Sequence, residues 1–386
     1  MPHYKFDQIA FNITDKKMPE PGDEKMYIGL EHLDSGSLKI TRWGSEVELT
    51  GQKLVMRKGD VLFGRRNTYL RRAAIAPHDG IFSAHGMIFR PKTQVIDPEY
   101  FPFFISSNYF MDAAIRISVG SLSPTVNWKT LKELEFDLPS LEEQRRNAAL
   151  LKSINETKEA YQELLIQTDN LVKSQFIEMF GDCIRNDKEW NVRLLQDVLA
   201  EGCRVTYGIV KTEDDIPGGV PVFRPVDISQ GHVPTRSELK RTSKEISDQY
   251  KRTILNGDEL LITIRGSVGE TFQISKEFEG CNVARNIVPL RANTEILLQG
   301  FLKAVIDSVA FQEKIASITK GVALKGININ EFKVCPIILP PIEMQQQWVE
   351  FAQQSDKSKF ELKEAIKSCD ALMKAILFTN LEEKEG

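Results

Sequence analysis

Leu138-Pro139-Ser140-Leu141-Glu142-Glu143-Gln144 and Leu339-Pro340-Pro341-Ile342-Glu343-Met344-Gln345 are one stretch written twice, 201 residues apart. The register holds without a gap on both sides. Upstream, Phe110 and Gly120 fall on Phe311 and Gly321, and Val126-Asn127 falls on Ile327-Asn328. Downstream, Leu171-Val172-Lys173 falls on Leu372-Met373-Lys374. Farther upstream the match is looser: Lys58-Gly59-Asp60-Val61-Leu62 resembles Asn256-Gly257-Asp258-Glu259-Leu260 at a shift of 198. A period near 200 residues is far too long for a solenoid and means a duplicated domain. A chain of 386 residues, too long for one ordinary core, fits that reading.

The quoted stretch opens a helix in each copy. Pro139 and Pro340-Pro341 suit a helix start, and Glu142, Glu143 and Glu343 put negative charge at its positive end. No Pro or Gly follows from 140 to 180 or from 342 to 381. Such a run makes about 60 Å of helix at roughly 1.5 Å per residue. Leu362, Ile366, Cys369, Met373 and Ile376 step by four, three, four and three, which is a heptad seam. The equivalent Tyr161, Leu165, Thr168, Val172 and Gln175 are more polar but in phase. The spacing predicts two long spacer helices, 139–182 and 339–381, paired as an antiparallel coiled coil. Helices packed only on their own domains are the alternative.

Ahead of each helix the pattern is mixed. Asp60-Val-Leu-Phe63, Gly86-Met-Ile-Phe-Arg90, Glu259-Leu-Leu-Ile-Thr-Ile264 and Asn286-Ile-Val-Pro-Leu-Arg291 read as strands bounded by turn residues. Helices are expected at about 98–117 and 296–317. The fold class is α+β: two similar globular domains with small curved sheets, 1–138 and 183–338, separated by the two helices in a pseudo-twofold arrangement. A charged tail, 382–386, closes the chain.

Composition narrows the function. At 41% hydrophobic and 27% charged the chain reads as a globular protein, without an apolar run of membrane-spanning length or a signal-peptide core near its N-terminus. A cytoplasmic location without membrane association is expected. Cys183, Cys203, Cys281, Cys335 and Cys369 are scattered and odd in number, against a disulfide framework or zinc site. His3, His32, His78, His85 and His232 have no ligand spacing, so no metal role is assigned. There is no P-loop, nucleophile elbow, dinucleotide loop or amine-gripping Pro-Pro-Tyr/Phe element. Arg265-Gly-Ser-Val-Gly269 contains G-x-x-G but lacks a following helix pattern, so it is weak as a cofactor loop. No catalytic residue is assigned.

The net charge of −4 hides a segregated distribution. Segment 53–72 holds Lys53, Arg57, Lys58, Arg65, Arg66, Arg71 and Arg72 against Asp60 alone, with Phe63 and Tyr69 interleaved. That balance favours a polyanion. The second copy offers Arg265, Ser267, Arg285, Asn286, Lys320 and Lys325, besides a diluted basic run at 236–252. Arg and Asn match guanine and adenine edges. Arg65-Arg66-Asn67 and Arg285-Asn286 are therefore candidate base readers. Arg71, Arg72, Lys320 and Lys325 suit phosphates better. His85 lies near the counterpart of Arg285. For any one of these residues, a surface ion pair is the plainer explanation. Gly64, Gly266 and Gly269 would admit DNA close to the backbone. The helices lean acidic and leave a mixed-charge surface for protein partners.

Each copy thus has a Gly-Asp-x-Leu strand, the Leu-Pro-x-(Leu/Ile)-Glu-x-Gln stretch and a long helix. The first helix closes with Phe176-Ile-Glu-Met-Phe-Gly-Asp182, followed by Trp190 and Leu194. This order, repeated over the whole chain, resembles the specificity subunit of type I restriction-modification systems. The resemblance implies two target recognition domains, each reading half of a gapped sequence in double-stranded DNA, with the helices setting the gap. It implies no activity or cofactor in this chain. Two methyltransferase subunits would bring S-adenosylmethionine for adenine methylation, and restriction subunits, where present, ATP and magnesium. Arg-rich 64–67 against Arg265-Gly266-Ser267 implies different half-sites. A two-domain coiled-coil adaptor without DNA reading is the competing class.

Overall fold

A computed structural model describes residues 2–212, 215–228, 234–321 and 325–379. His232, the charged tail 382–386 and the last expected helical positions, 380–381, lie outside these residues. The chain divides into two compact units, Met1–Leu164 with Leu362–Gly386, and Leu165–Glu361. Each unit combines one globular region, the first half of the helix that follows it and the far half of the other helix.

In the first unit, one antiparallel sheet runs Ala10–Ile13, Met87–Pro91, Val61–Phe63, Ala73–Ile75. A second runs Lys16–Lys17, Lys53–Met56, Gly80–Phe82, Tyr27–Ile28, the last pair parallel. Side chains alternate along a strand. Val61 and Phe63 therefore enter one core with Phe89 and Phe110, while Leu62 enters another with Phe82 and Ile88. Burial on both faces explains why this strand reads as a continuous apolar run. The second unit repeats the device in two three-stranded sheets. There Leu260 and Ile262 pack with Leu290 and Phe301, and Leu261 packs with Phe223 and Phe278.

Two sequence expectations need adjustment. The single helices expected at about 98–117 and 296–317 are each two helices, Phe101–Ser106 with Asn108–Arg116, and Gln299–Asp307 with Val309–Ile318. Ser107 and Ser308 break them. Each serine is extended, and its hydroxyl accepts from the backbone N–H of Phe110 (3.2 Å) or Phe311 (3.3 Å), starting a new helix. The strand register also shifts. Val61 pairs with Phe89 and Leu260 with Leu290, so Val61 corresponds to Leu260, at 199 residues rather than 198. Glu259 then takes the place of Asp60. Both carboxylates are buried and accept backbone N–H groups just before the strand, from Arg57 in one unit and Asn256 in the other.

The long helices are Leu141–Phe180 and Ile342–Thr379. A fully buried glutamine fixes the start of each. Gln144 Oε1 accepts from Asp97 N–H at 2.7 Å, and its Nε2 donates to the carbonyls of Val95 (3.1 Å) and Pro139 (2.9 Å). Gln345 repeats this with Leu298 N–H (2.9 Å) and the carbonyls of Ile296 (3.1 Å) and Pro340 (2.8 Å). Every partner is displaced by the same 201 residues. The first helix stops at Gly181, whose φ of +73° favours glycine, and Trp190 Nε1 donates to the freed carbonyl of Phe180 at 3.0 Å.

Within each unit the helix segments run antiparallel. In the first, Ala148 and Leu151 share a core with Met373, Ile376 and Leu377, and Lys158 meets Asp370 further along. In the second, Trp348 packs against Phe176 and Phe180, and Lys359 meets Asp169. Tyr161, Leu165, Val172, Leu362, Ile366, Met373 and Ile376 are half-buried. The seam continues into the globular cores. Met373 and Ile376 pack on the first and Val172 on the second, so each helix end packs with the opposite copy's domain.

Candidate nucleic-acid interface

The candidate residues gather where the central strand of each unit ends. In the first unit the strand Val61–Phe63 continues into Gly64-Arg65-Arg66-Asn67. The Arg65 carbonyl accepts from Val126 N–H at 3.0 Å, Arg66 bridges Thr125, and Asn67 N–H donates to the Pro124 carbonyl at 2.8 Å. In the second unit the strand Leu260–Thr263 continues into Ile264-Arg265-Gly266. The Ile264 carbonyl accepts from Ile327 N–H at 2.9 Å, and Arg265 bridges Gly326. Since Thr125 and Gly326 stand 201 residues apart, Arg66 and Arg265 occupy one backbone station. Both are exposed.

The residue after each arginine has a positive φ, +54° at Asn67 and +86° at Gly266. Asparagine is among the few side chains that tolerate this region. The turn therefore explains Asn67 without any DNA. The opposing loop opens on Gly120 and Gly321, with φ of +117° and +116°. The sequence matched these glycines without giving them a role. The structure makes them the start of the segment that bonds the arginine station.

Arg71 and Arg72 are held inside their domain. Arg71 is left-handed, with φ of +49°, and its guanidinium pairs with Asp112 and donates to Asn108 Oδ1 at 3.1 Å. Arg72 donates to the Leu30 carbonyl at 2.8 Å. Arg65 is half-buried. Lys320 pairs with Glu331, which holds that carboxyl below the usual range. Lys320 also pairs in register with Gly326, beside the Arg265 station, and exposed Lys325 precedes Gly326. The Ser267 carbonyl accepts from the Thr263 hydroxyl, so this residue closes the turn after Arg265.

A second station adjoins the first. Gly86 N–H donates to the Ser83 carbonyl at 3.0 Å, and Ile287 N–H donates to the Ala284 carbonyl at 3.0 Å. The turns Ser83-Ala84-His85-Gly86 and Ala284-Arg285-Asn286-Ile287 thus correspond, each pair 201 residues apart. Ala84, rather than His85, is the counterpart of Arg285. The packing beneath has exchanged volume. A Cβ on Gly86 would clash with the Phe82 ring, whereas the counterparts in the second unit are Ile287 and the smaller Val283, both in one buried cluster. Ala84, His85 and Arg285 are exposed, and Asn286 is half-buried. In the second unit Ile264 N–H donates to the Asn286 carbonyl at 2.8 Å, tying turn to arginine station.

Among the described residues there is no cluster of metal-ligating side chains, and no helix is long and apolar enough to cross a membrane. All five cysteines are free.

Comparison with known proteins gives a consistent result. The type I restriction modification DNA specificity domain matches twice, at residues 11–167 and 187–368. The EcoBI specificity subunit of Escherichia coli is 26% identical over 293 residues, 69% of this chain. The chain spans 61% of that relative's length. A putative specificity subunit, MjaX, from Methanocaldococcus jannaschii is 22% identical over 82% of this chain and 77% of its own. In fold, the chain is similar to the crystal structure of a type I S subunit from M. genitalium. That match has a TM-score of 0.58 and 11% identity, and covers all of this chain and 96% of that one. With the family's domain matched twice, over most of its length, this chain belongs to the type I restriction-modification DNA specificity family.

Proposed function

We propose that this chain is the non-catalytic, DNA-reading specificity subunit of a type I restriction-modification complex. The observation that carries the reading is the contrast within the duplication. The scaffold repeats down to the three hydrogen bonds of Gln144 and Gln345, while the turns and the residues flanking the arginine station differ in side chain. A repeated frame with divergent tips suits two related but unequal half-sites in double-stranded DNA.

The domains 1–138 and 183–338 are the target recognition domains, and the long helices Leu141–Phe180 and Ile342–Thr379 set the gap. Arg65, Arg66, Asn67, Arg265, Ser267, Arg285, Asn286, Lys320 and Lys325 face DNA. Arg71 and Arg72 contribute field and frame from their internal contacts. Two methyltransferase subunits dock on this chain, hold S-adenosylmethionine and modify adenine. Restriction subunits using ATP and magnesium join where they are encoded. The complex works in the cytoplasm.

The test is DNA binding by this chain co-purified with its methyltransferase. Log affinity should fall linearly with log salt, and one gapped sequence should bind roughly a thousandfold or more above unrelated DNA. A coiled-coil adaptor would form complexes with proteins and show neither effect.

A further inference from the structure

Phosphates are alike in every sequence, whereas base edges are not. Two copies of one domain that read different half-sites should share their phosphate contacts and differ in their base contacts. The backbone correspondence makes that division visible. At the strand end, Arg66 and Arg265 are opposed by Thr125 and Gly326, and both precede a residue of positive φ. The flanking charges are not shared: Arg65 corresponds to Ile264, and Val119 to Lys320. At the adjoining turn the backbone is again the same, yet Ala84-His85 stands against Arg285-Asn286.

We propose, on the specificity-subunit reading above, that Arg66 and Arg265 are a matched pair of phosphate anchors. The turns 84–85 and 285–286 then discriminate bases. Arg66 thereby passes from base reader to anchor. The exposed Arg285 guanidinium presents the fork that matches guanine O6 and N7, and beside it the half-buried Asn286 amide, whose Oδ1 is buried without a hydrogen-bond partner among the described residues, matches adenine N6 and N7 once that oxygen turns outward. Ala84 offers an apolar contact and His85 one ring edge, so the first unit asks different bases of its half-site.

The experiment uses the complex of the full chain with its methyltransferase, scored by selection from random DNA and by binding at several salt concentrations. Arg66→Ala and Arg265→Ala should each weaken specific and unrelated DNA alike and flatten the log–log salt slope by about 0.9. Both should keep the selected sequence, and Arg66→Lys and Arg265→Lys should restore binding because a phosphate accepts either cation. Arg285→Ala and Asn286→Ala should relax one half-site roughly tenfold or more and leave the other intact. A changed base preference in Arg66→Ala or Arg265→Ala, or an unchanged half-site in both turn variants, overturns the assignment. A wild-type complex that selects no sequence defeats the specificity reading itself, a separate outcome.

Discussion

The Lys158 ammonium lies 2.7 Å from the Asp370 carboxylate, and the same pair recurs as Lys359 with Asp169 at 3.2 Å. Lys158 and Lys359 stand 201 positions apart, as do Asp169 and Asp370. Each pair joins the helix of one copy to the helix of the other inside one unit. Lys158 is almost wholly buried and also donates to the Gly36 carbonyl at 3.1 Å, so the pair ties the helices to the domain.

That burial makes the two partners unequal. Asp370→Ala leaves a nearly buried ammonium with one carbonyl, and should cost about 1–3 kcal/mol in denaturant unfolding. Lys158→Met removes the charge that needs a partner and should cost less. Equal losses would show that the ion pair itself, rather than the stranded charge, matters.

Gln144 and Gln345 each satisfy three backbone groups. Replacing either by Leu strands one N–H and two carbonyls, so each variant should lose roughly 2–4 kcal/mol by the same measurement. Glutamate can accept but not donate when ionised and should recover only part of the loss. A neutral Gln→Leu change would mean that water replaces the side chain.

Tyr100 tests the opposite sign. It is fully buried, its hydroxyl has no hydrogen-bond partner among the described residues, and burial pushes its pKa upward. Its counterpart 201 residues on is Phe301, equally buried. Tyr100→Phe should therefore raise the unfolding midpoint, the free energy of unfolding growing by about 1 kcal/mol. A lower midpoint would reveal a bound water.

Asp182 gives a pH dependence. Its carboxylate accepts from the N–H groups of Arg185 and Ile184, each at 2.9 Å, and the Arg185 contact foremost holds its pKa below the usual value. Because the folded value is depressed, the stabilisation is complete above the unfolded pKa of about 3.9 and fades as pH falls through the folded one. The gap in unfolding midpoint between wild type and Asp182→Asn should be constant from pH 7 to about 5 and narrow on further acidification. A gap that widens in acid would reverse the assignment.

The helix seam predicts a change of spacing. Seven residues added near the middle of each helix preserve the heptad phase and lengthen each by about 10 Å. At roughly 3.4 Å per base pair, the target gap should grow by about three base pairs with both half-sites unchanged. Altered half-sites in the selected DNA would contradict the spacer role.

The duplication and both long helices were legible because they rest on local signals: a gap-free register and an absence of Pro and Gly. The break at Ser107 was not. A serine inside an apolar run is silent until its hydroxyl is seen to cap Phe110. The match of Arg66 to Arg265 was also hidden. Near the strand the two copies run at 199 residues, neither the 198 of the Gly-Asp match nor the 201 of the helices, and those two shifts set Arg66 against Ile264 or Ser267. Arg71 and Arg72 read as free cations because their partners, Asp112 and Leu30, lie some 40 residues away. Charge counts give composition, and only tertiary structure gives pairing.

The most direct measurement is the adenine methylome of cells expressing the partner methyltransferase with and without this chain. The account predicts one split motif, two unequal half-sites with a fixed gap, methylated only when this chain is present. Methylation that is absent, ungapped or independent of this chain would contradict it.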